Sequence, residues 1–349
     1  VTGFFAQEDI ERVRGANDIV EVIGEYVPLK RAGKNYRALC PFHKEKTPSF
    51  NVSPTRQIFK CFGCGKGGNV FAFVMGMERV GFPESIEILA RRAGLTLQRQ
   101  RGSSGGRTED GKEKVYEVNL WAAKVYHRYL LDEQRGASAR AYLERRGFGK
   151  AEQEKYRLGY APDNWEFLTG LAGSKYSPGL LEKSGLVLPR QGGGYYDRLR
   201  NRVIFPIFDV QGRVIGFGGR VLGDGEPKYL NSPETSLFDK SRCLYGLNWA
   251  KTAISDRGQV MVVEGYTDCL SLMCAGIEWV VATLGTALTE EHVRLLKRYA
   301  DTAVLVYDGD EAGIRAAERA LEVFLAREME VKVVLIPGGQ DPAEFVGKE

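Results

Sequence analysis

Four uninterrupted apolar runs in the last third of the chain set the strongest limit on its fold. They are Val260-Met-Val-Val263, Trp279-Val-Val-Ala282, Thr302-Ala-Val-Leu-Val306 and Val331-Lys-Val-Val-Leu-Ile336, with helix-like segments between them. A strand that is apolar on both faces must be covered on both. Helices alternating with such strands give a parallel sheet. Residues 244–349 therefore read as an α/β unit with a mainly parallel central sheet.

Two of these runs end on acids. Val262-Val-Glu264-Gly265 puts a carboxylate at the end of one strand, and Val304-Leu-Val-Tyr-Asp308-Gly-Asp310 repeats the arrangement on another. Ligands of open α/β sheets gather at the carboxyl ends of the strands, so the acids are expected to share one crevice. Gly309 permits the irregular turn that lets Asp308 and Asp310 face the same way. Carboxylates crowded together repel unless neutralised, and hard divalent cations do this with oxygen ligands. Such a centre suits phosphoryl or nucleotidyl transfer. Asp268 lies one helical turn past Glu264. It either joins the cluster or is an acid favoured at a helix N-terminus. Asp341, before Pro342, is either a ligand or a turn former.

A second constraint lies near the N-terminus. Cys40-Pro-Phe-His43 and Cys61-Phe-Gly-Cys64 are two ligand pairs with 17 residues between them. Brought together by a hairpin, they supply a tetrahedral Cys3His shell with no open position, which implies one structural Zn2+. Residues 25–66 alternate as short strands do, and residues 1–24 read as a short helix. Tyr36, Phe42, Phe50, Phe59 and Phe62 surround the ligands. Most of them are expected to form the core of a small zinc ribbon. Cys243, Cys269 and Cys274 lie singly in apolar surroundings, so the six cysteines do not form a disulfide framework and a cytoplasmic setting is expected. No apolar run is long enough to span a membrane, and Val1–Gly24 does not read as a secretory signal.

The net charge of +4 is too mild to identify a partner, but its distribution is uneven. Pro28–Lys66 holds Lys30, Arg31, Lys34, Arg37, Lys44, Lys46, Arg56, Lys60 and Lys66 against the single acid Glu45. This is a candidate phosphate-facing surface. Residues 98–114 have no periodicity and are rich in Gly, Ser and charge, as a flexible interdomain linker would be. Helical spacing returns over Val115–Tyr142, and residues 186–222 alternate as strands with a turn at Gln211-Gly212. Asp197-Arg-Leu-Arg200-Asn-Arg202, Gly218-Gly-Arg220 and Pro227-Lys228-Tyr229-Leu-Asn231 place cations and amides beside glycines. Arginine holds phosphate bidentately and lysine acts as a mobile point charge. The chain thus reads as multidomain α/β: a zinc ribbon at 1–97, a linker at 98–114, a mixed α+β subdomain at 115–243 and the parallel-sheet unit at 244–349.

These motifs together resemble bacterial DNA primases. The two ligand pairs resemble the zinc-binding domain of that family. Arg200-Asn-Arg-Val-Ile-Phe-Pro-Ile207, Phe217-Gly-Gly-Arg220 and Pro227-Lys-Tyr-Leu-Asn-Ser-Pro-Glu-Thr235 are similar to its polymerase-domain motifs. Val263-Glu-Gly-Tyr-Thr-Asp268, Leu284-Gly-Thr-Ala287 and Tyr307-Asp-Gly-Asp310 are similar to its Toprim motifs. The resemblance implies synthesis of primer RNA from ribonucleoside triphosphates on a single-stranded DNA template. It implies that Glu264, Asp268, Asp308, Asp310 and Asp341 belong to the acids binding two or more Mg2+ or Mn2+ ions. It also implies that Arg146, Arg200, Arg202, Arg220, Lys228, Tyr229, Asn231 and Lys240 meet nucleotide or template. The family commonly has a second Asp where this chain has Ala343, which leaves the outermost metal position open. The family's helicase-binding domain has no counterpart here, so contact with the replicative helicase is expected of a C-terminal domain absent from this chain. Two other readings stand beside this one. A Toprim nuclease or topoisomerase shares the acids. A zinc-ribbon single-strand-binding protein with a degenerate metal site shares the basic surface.

Overall fold

A computed structural model of the chain describes residues 5, 7–78, 80–97, 106–308, 311–336, 342 and 345. It divides into two units, residues 1–107 and 108–349.

The first unit opens with helices α1 (Gln7–Gly15) and α2 (Ile19–Gly24), where the sequence suggested a single helix. The break falls at residues 16–18 because Asp18 caps the second helix, accepting from the Val20 and Glu21 amides at 2.8 and 3.3 Å. The buried Asn17 fastens the break by donating to the carbonyls of Val13 and Leu89. Five antiparallel strands follow in sequence order: β1 (Lys30–Ala32), β2 (Asn35–Ala38), β3 (Phe50–Ser53), β4 (Ile58–Cys61) and β5 (Gly67–Gly68). Helices α3 (Val70–Glu78) and α4 (Phe82–Arg92) complete the unit. Alternation along the strands buries Ala38, Phe50, Val52, Phe59 and Cys61 on one face, against the helices. Phe50 and Phe59 stack at 5.2 Å, and Phe42 and Phe73 close the aromatic cluster around them. The expected aromatic core is therefore present, except that Phe62 is 73% exposed.

The second unit begins in α5 (Gly106–Leu131), followed by α6 (Ala137–Arg145), α7 (Lys150–Lys155), β6 (Gly159–Ala161), α8 (Phe167–Ala172) and α9 (Pro178–Lys183). The expected linker at 98–114 falls at the start of this unit. Residues 98–105 lie outside the described residues, but 106–114 are helical. The apolar periodicity starts only near Val115, which is buried. Once that packed stretch has nucleated a helix, each added residue needs only its own backbone hydrogen bond.

Strands β7 (Val187–Pro189) and β8 (Tyr195–Asp197) pair as a hairpin. β9 (Arg202–Phe208), β10 (Val214–Val221) and β11 (Tyr229–Asn231) form an antiparallel sheet with β6 in the order β11-β10-β9-β6. The turn expected at Gln211-Gly212 is present: the Gly212 amide donates to the Asp209 carbonyl at 2.9 Å, with Gly212 at a φ of 83°.

The apolar runs then form β12 (Gln259–Val263), β13 (Val280–Ala282), β14 (Thr302–Asp308) and β15 (Glu330–Ile336), all parallel, in the order β13-β12-β14-β15. Helices α10 (Leu247–Arg257), α11 (Tyr266–Cys274), α12 (Glu290–Leu296) and α13 (Glu311–Ala326) alternate with them. A buried cluster runs from Leu130 through Phe205 and Tyr266 to Ile336, so the antiparallel and parallel sheets share a core. No described helix is long and apolar enough to cross a membrane.

Candidate active site and metal centre

In the first unit, the turn after β2 carries Cys40 and His43, and the turn ending β4 carries Cys61 and Cys64. The ligand atoms of all four lie within 4.8 Å of one another. Cys40 Sγ is 3.8 Å from Cys64 Sγ, and Cys61 Sγ is 3.9 Å from His43 Nδ1. A tetrahedron with arms of about 2.3 Å has edges of about 3.8 Å, so the donors fit Zn2+. Burial pushes the Cys61 thiol up. Its hydrogen bonds with Ser49 Oγ, from the Cys64 amide and with other partners outweigh it and bring the pKa to about 6. Burial raises Cys40 to about 12. His43 turns Nδ1 toward the thiolates and Nε2 toward Glu45, 3.3 Å away. Glu45 also accepts from the Cys40 amide at 2.8 Å and the Ser49 amide at 3.0 Å. A carboxylate behind the ligating histidine fixes its tautomer.

The other face of this sheet is open. The register places Lys30, Arg37, Asn51 and Lys60 side by side across four strands. Lys30, Arg37 and Lys60 are exposed. Arg37 Nε donates to Asn51 Oδ1 at 3.1 Å. The exposed Phe62 follows Lys60 on the ligand turn.

In the second unit, a cleft of ≈ 310 Å³ opens at the carboxyl end of the parallel sheet. Glu264 follows β12, and Asp268 lies in the first turn of α11. Gly265 lies between them; a Cβ there would sit 2.7 Å from an Asp268 carboxylate oxygen and push that side chain aside. β14 pairs directly with β12, so Asp308, its last residue, lies at the same end of the sheet as Glu264. Burial, then the Glu264 charge, lifts the neighbouring Tyr307 to about 12.

The opposite wall comes from β11 and the end of α6, and it brings Lys228, Tyr229, Asn231 and Arg146 to the cleft. Tyr229 Oη lies 3.3 Å from Thr267 Oγ1, and Asn231 Nδ2 donates to the Leu284 carbonyl at 2.9 Å. These contacts tie the cationic wall to the acidic one. The glycines of β10 make that approach possible. A Cβ at Gly218 would meet the Tyr266 ring at 2.7 Å, and one at Gly219 would meet Arg202 at 2.9 Å. Tyr266 lies 4.7 Å from Phe205 and 5.5 Å from Tyr229, so it is the hinge stone between the two sheets.

The comparisons with known proteins match this arrangement segment by segment. The description CHC2 zinc finger fits residues 5–105, DNA primase catalytic core, N-terminal domain fits 126–251, and Toprim-like fits 261–346. DNA primases of Clostridium acetobutylicum and Geobacillus stearothermophilus are each 46% identical, over 98% and 97% of this chain and 57% and 58% of their own length. The crystal structure of the Aquifex aeolicus primase zinc-binding and RNA polymerase domains is 40% identical. It superimposes with a TM-score of 0.64 over 97% of this chain and 82% of that one. The DnaG primase catalytic domain bound to ssDNA is 39% identical, with a TM-score of 0.64 over 69% of this chain and 79% of that one. The chain belongs to the DNA primase family. It spans a little over half the length of the curated relatives, 57% in the first case.

Within this chain the expected site residues divide into groups. Arg146, Lys228, Tyr229, Asn231, Glu264 and Asp268 line one cleft. Asp308 ends its strand beside them, while Asp310, Asp341 and Ala343 lie outside the described residues. Arg202 is buried, and its guanidinium donates to the carbonyls of Gly219, Pro227 and Lys228. It holds the Lys228 segment in place. Arg220 lies over Tyr229 at 5.2 Å and Tyr142 at 5.9 Å, behind the cleft wall. Arg200 stacks on the exposed Trp165 at 3.8 Å, and Lys240 opens a short 3-10 turn; neither is among the residues lining the cleft. Thr267, inside the Val263–Asp268 motif, and Thr283 also line the cleft; both are uncharged and neither is among the expected site residues.

Proposed function

We propose that this chain synthesises short RNA primers from ribonucleoside triphosphates on single-stranded DNA during replication. The observation that carries this reading is the joining of the Lys228–Asn231 strand and Arg146 to the Glu264–Asp268 loop across one cleft. A nuclease needs the acids alone. A template-directed polymerase also needs cations for triphosphate and template, fixed relative to those acids. The division into a zinc domain (1–97), a polymerase subdomain (115–243) and a catalytic subdomain (244–349) belongs to this proposal, as does a cytoplasmic setting.

The acids Asp308, Asp310, Asp268 and Asp341 hold two or more Mg2+ or Mn2+ ions, which when bound neutralise the triphosphate charge and favour the leaving pyrophosphate. Lys228 and Arg146 pair with phosphates. Arg200, Arg220 and Lys240 extend the basic track for template. Glu264 serves as a ligand or accepts the proton of the attacking 3′-hydroxyl. A pH–rate profile of Glu264→Gln separates these roles, because only loss of the base removes the acid limb. The zinc unit grips single-stranded template through its open cationic face. The replicative helicase is the partner of a domain outside this chain.

The test is ribonucleotide incorporation on single-stranded DNA with Mg2+ or Mn2+, read by product length. Asp308→Ala and Asp310→Ala should each lower incorporation by at least about 100-fold, the loss expected when a group stabilising the transition state is removed. Near-normal synthesis by either variant overturns the metal assignment. Strand cutting without incorporation turns the reading to a Toprim nuclease.

A further inference from the structure

The cleft continues past Glu264 into a second cavity of ≈ 280 Å³. Glu264, Thr283 and Gly285 border both cavities. The second is otherwise lined by Thr286, Tyr307 and Arg319 with small apolar neighbours. Its walls come entirely from the parallel-sheet part: the end of β12, the loop after β13, the end of β14 and α13. The cationic wall of the first cavity, by contrast, comes from α6 and β11.

Two features of this second cavity point to an anion. Arg319 stands on an exposed position of α13 and makes no hydrogen bond or ion pair among the described residues. Thr286 Oγ1 is buried and has no hydrogen-bond partner there. Buried hydroxyls without partners are uncommon and mark places where a ligand or water supplies the missing bond. Tyr307 adds a phenol hydroxyl to the lining. A guanidinium, an aliphatic hydroxyl and a phenol hydroxyl form a donor set for phosphate oxygens.

Resting on the polymerase reading, we propose that this second cavity receives the pyrophosphate released at each nucleotide addition, with Arg319 pairing to it and Thr286 hydrogen-bonding to it. In that step the 3′-oxygen forms a bond to the α-phosphorus. The α–β anhydride bond breaks and its bridging oxygen leaves with the electron pair as part of pyrophosphate. The hydroxyl proton passes to Glu264 or water. With Arg146 and Lys228 holding phosphates on the side of the first cavity, the leaving group crosses Glu264 into the second.

The experiment uses the full chain, comparing wild type with Arg319→Gln, Arg319→Lys and Thr286→Val. Inhibition by added inorganic pyrophosphate and the KM for nucleotide are read in one incorporation assay. Equilibrium dialysis of radiolabelled pyrophosphate with Mg2+ gives binding separately. Arg319→Gln should weaken pyrophosphate inhibition and binding by about tenfold, the factor set by losing one charged hydrogen bond. KM should rise less than twofold. Arg319→Lys should recover part of the loss, and Thr286→Val should show a smaller loss of the same kind. Pyrophosphate inhibition within twofold of wild type in Arg319→Gln overturns the assignment. So does a KM that rises by the same factor as the inhibition constant, because Arg319 would then hold substrate rather than product. If the wild type incorporates no ribonucleotide, the polymerase reading fails instead, and the dialysis still reports on the cavity.

Discussion

At the scale of single residues, two contacts carry consequences out of proportion to their size. Glu45 touches no metal site atom except through His43, yet it accepts from two backbone amides and faces the imidazole at 3.3 Å. Glu45→Ala should weaken Zn2+ binding by about 10–100-fold, the usual cost of removing such a partner. Competition with a chromophoric chelator measures this; an affinity unchanged within twofold would show that His43 is oriented without it. Gly218 is the second case. Adding a methyl group 2.7 Å from the Tyr266 ring forces the ring or β10 to move. Gly218→Ala should cost about 1–3 kcal/mol by overpacking, or about 2–4 °C of melting temperature per kcal/mol. The double variant Gly218→Ala with Tyr266→Ala should be clearly less destabilised than the sum of the two, since the clash partner is gone. Additive losses would mean that the two residues do not meet. The ligand spacings and the strand-end acids were legible because spacing and position alone specify them. The role of Arg202 was not. Its charge suggested phosphate, whereas burial and three carbonyl acceptors make it a structural clamp, and burial lowers its pKa.

At the scale of elements, sequence was a good guide wherever periodicity and burial agreed. The four apolar runs became four parallel strands, and the Gln211-Gly212 turn formed its hairpin. Element ends were harder. The first turns of α5 lack apolar spacing, and Asp18 divides what looked like one helix. The start of α12 shows why. Thr289 and His292 form a reciprocal cap, with the His292 amide donating to Thr289 Oγ1 and the Thr289 amide donating to His292 Nδ1, each at 3.2 Å. Histidine in place of the usual Glu or Gln hides the pattern. His292 Nε2 donates to the Lys240 carbonyl at 2.9 Å, so the imidazole is neutral with its proton on Nε2. Burial lowers its pKa, against the pull of the Lys240 carbonyl. A histidine whose folded pKa is depressed contributes stability that is complete above the unfolded value of about 6.5. That contribution is lost as pH falls from there through the folded pKa, because the unfolded chain takes the proton first. The melting temperature of the second unit should therefore fall between pH 7.5 and 5.5, and His292→Gln should remove part of that fall while keeping the cap. An identical pH slope in the variant would place the acid sensitivity elsewhere.

At the scale of the whole molecule, the chain holds two separate opportunities to meet nucleic acid, and they differ in kind. The cleft of the second unit joins cations to acids, whereas the open sheet face of the first carries cations without acids opposite them. Lys30, Arg37, Asn51 and Lys60 cross the sheet in register. Three strand spacings of about 4.8 Å make this a strip about 14 Å wide. Charges that neutralise phosphates release counterions, so binding to a single strand weakens with salt at about 0.7 logarithmic units per contact. Arg37→Ala with Lys60→Ala should therefore make the slope of log affinity against log salt shallower by about 1.4. Fluorescence anisotropy of a labelled oligonucleotide between 50 and 200 mM salt, a range chosen from the steep region of that dependence, would read it. Phe62 provides the control for a different force, since it is 73% exposed two residues after Lys60. An aromatic that stacks on a base contributes about 1–3 kcal/mol with little salt dependence. Phe62→Ala should lower affinity at every salt concentration and leave the slope unchanged. A slope unaltered by loss of both cations would assign template binding to the second unit alone. A slope change without any effect of Phe62 would mean that the zinc unit holds the template by its phosphates and leaves the bases unread.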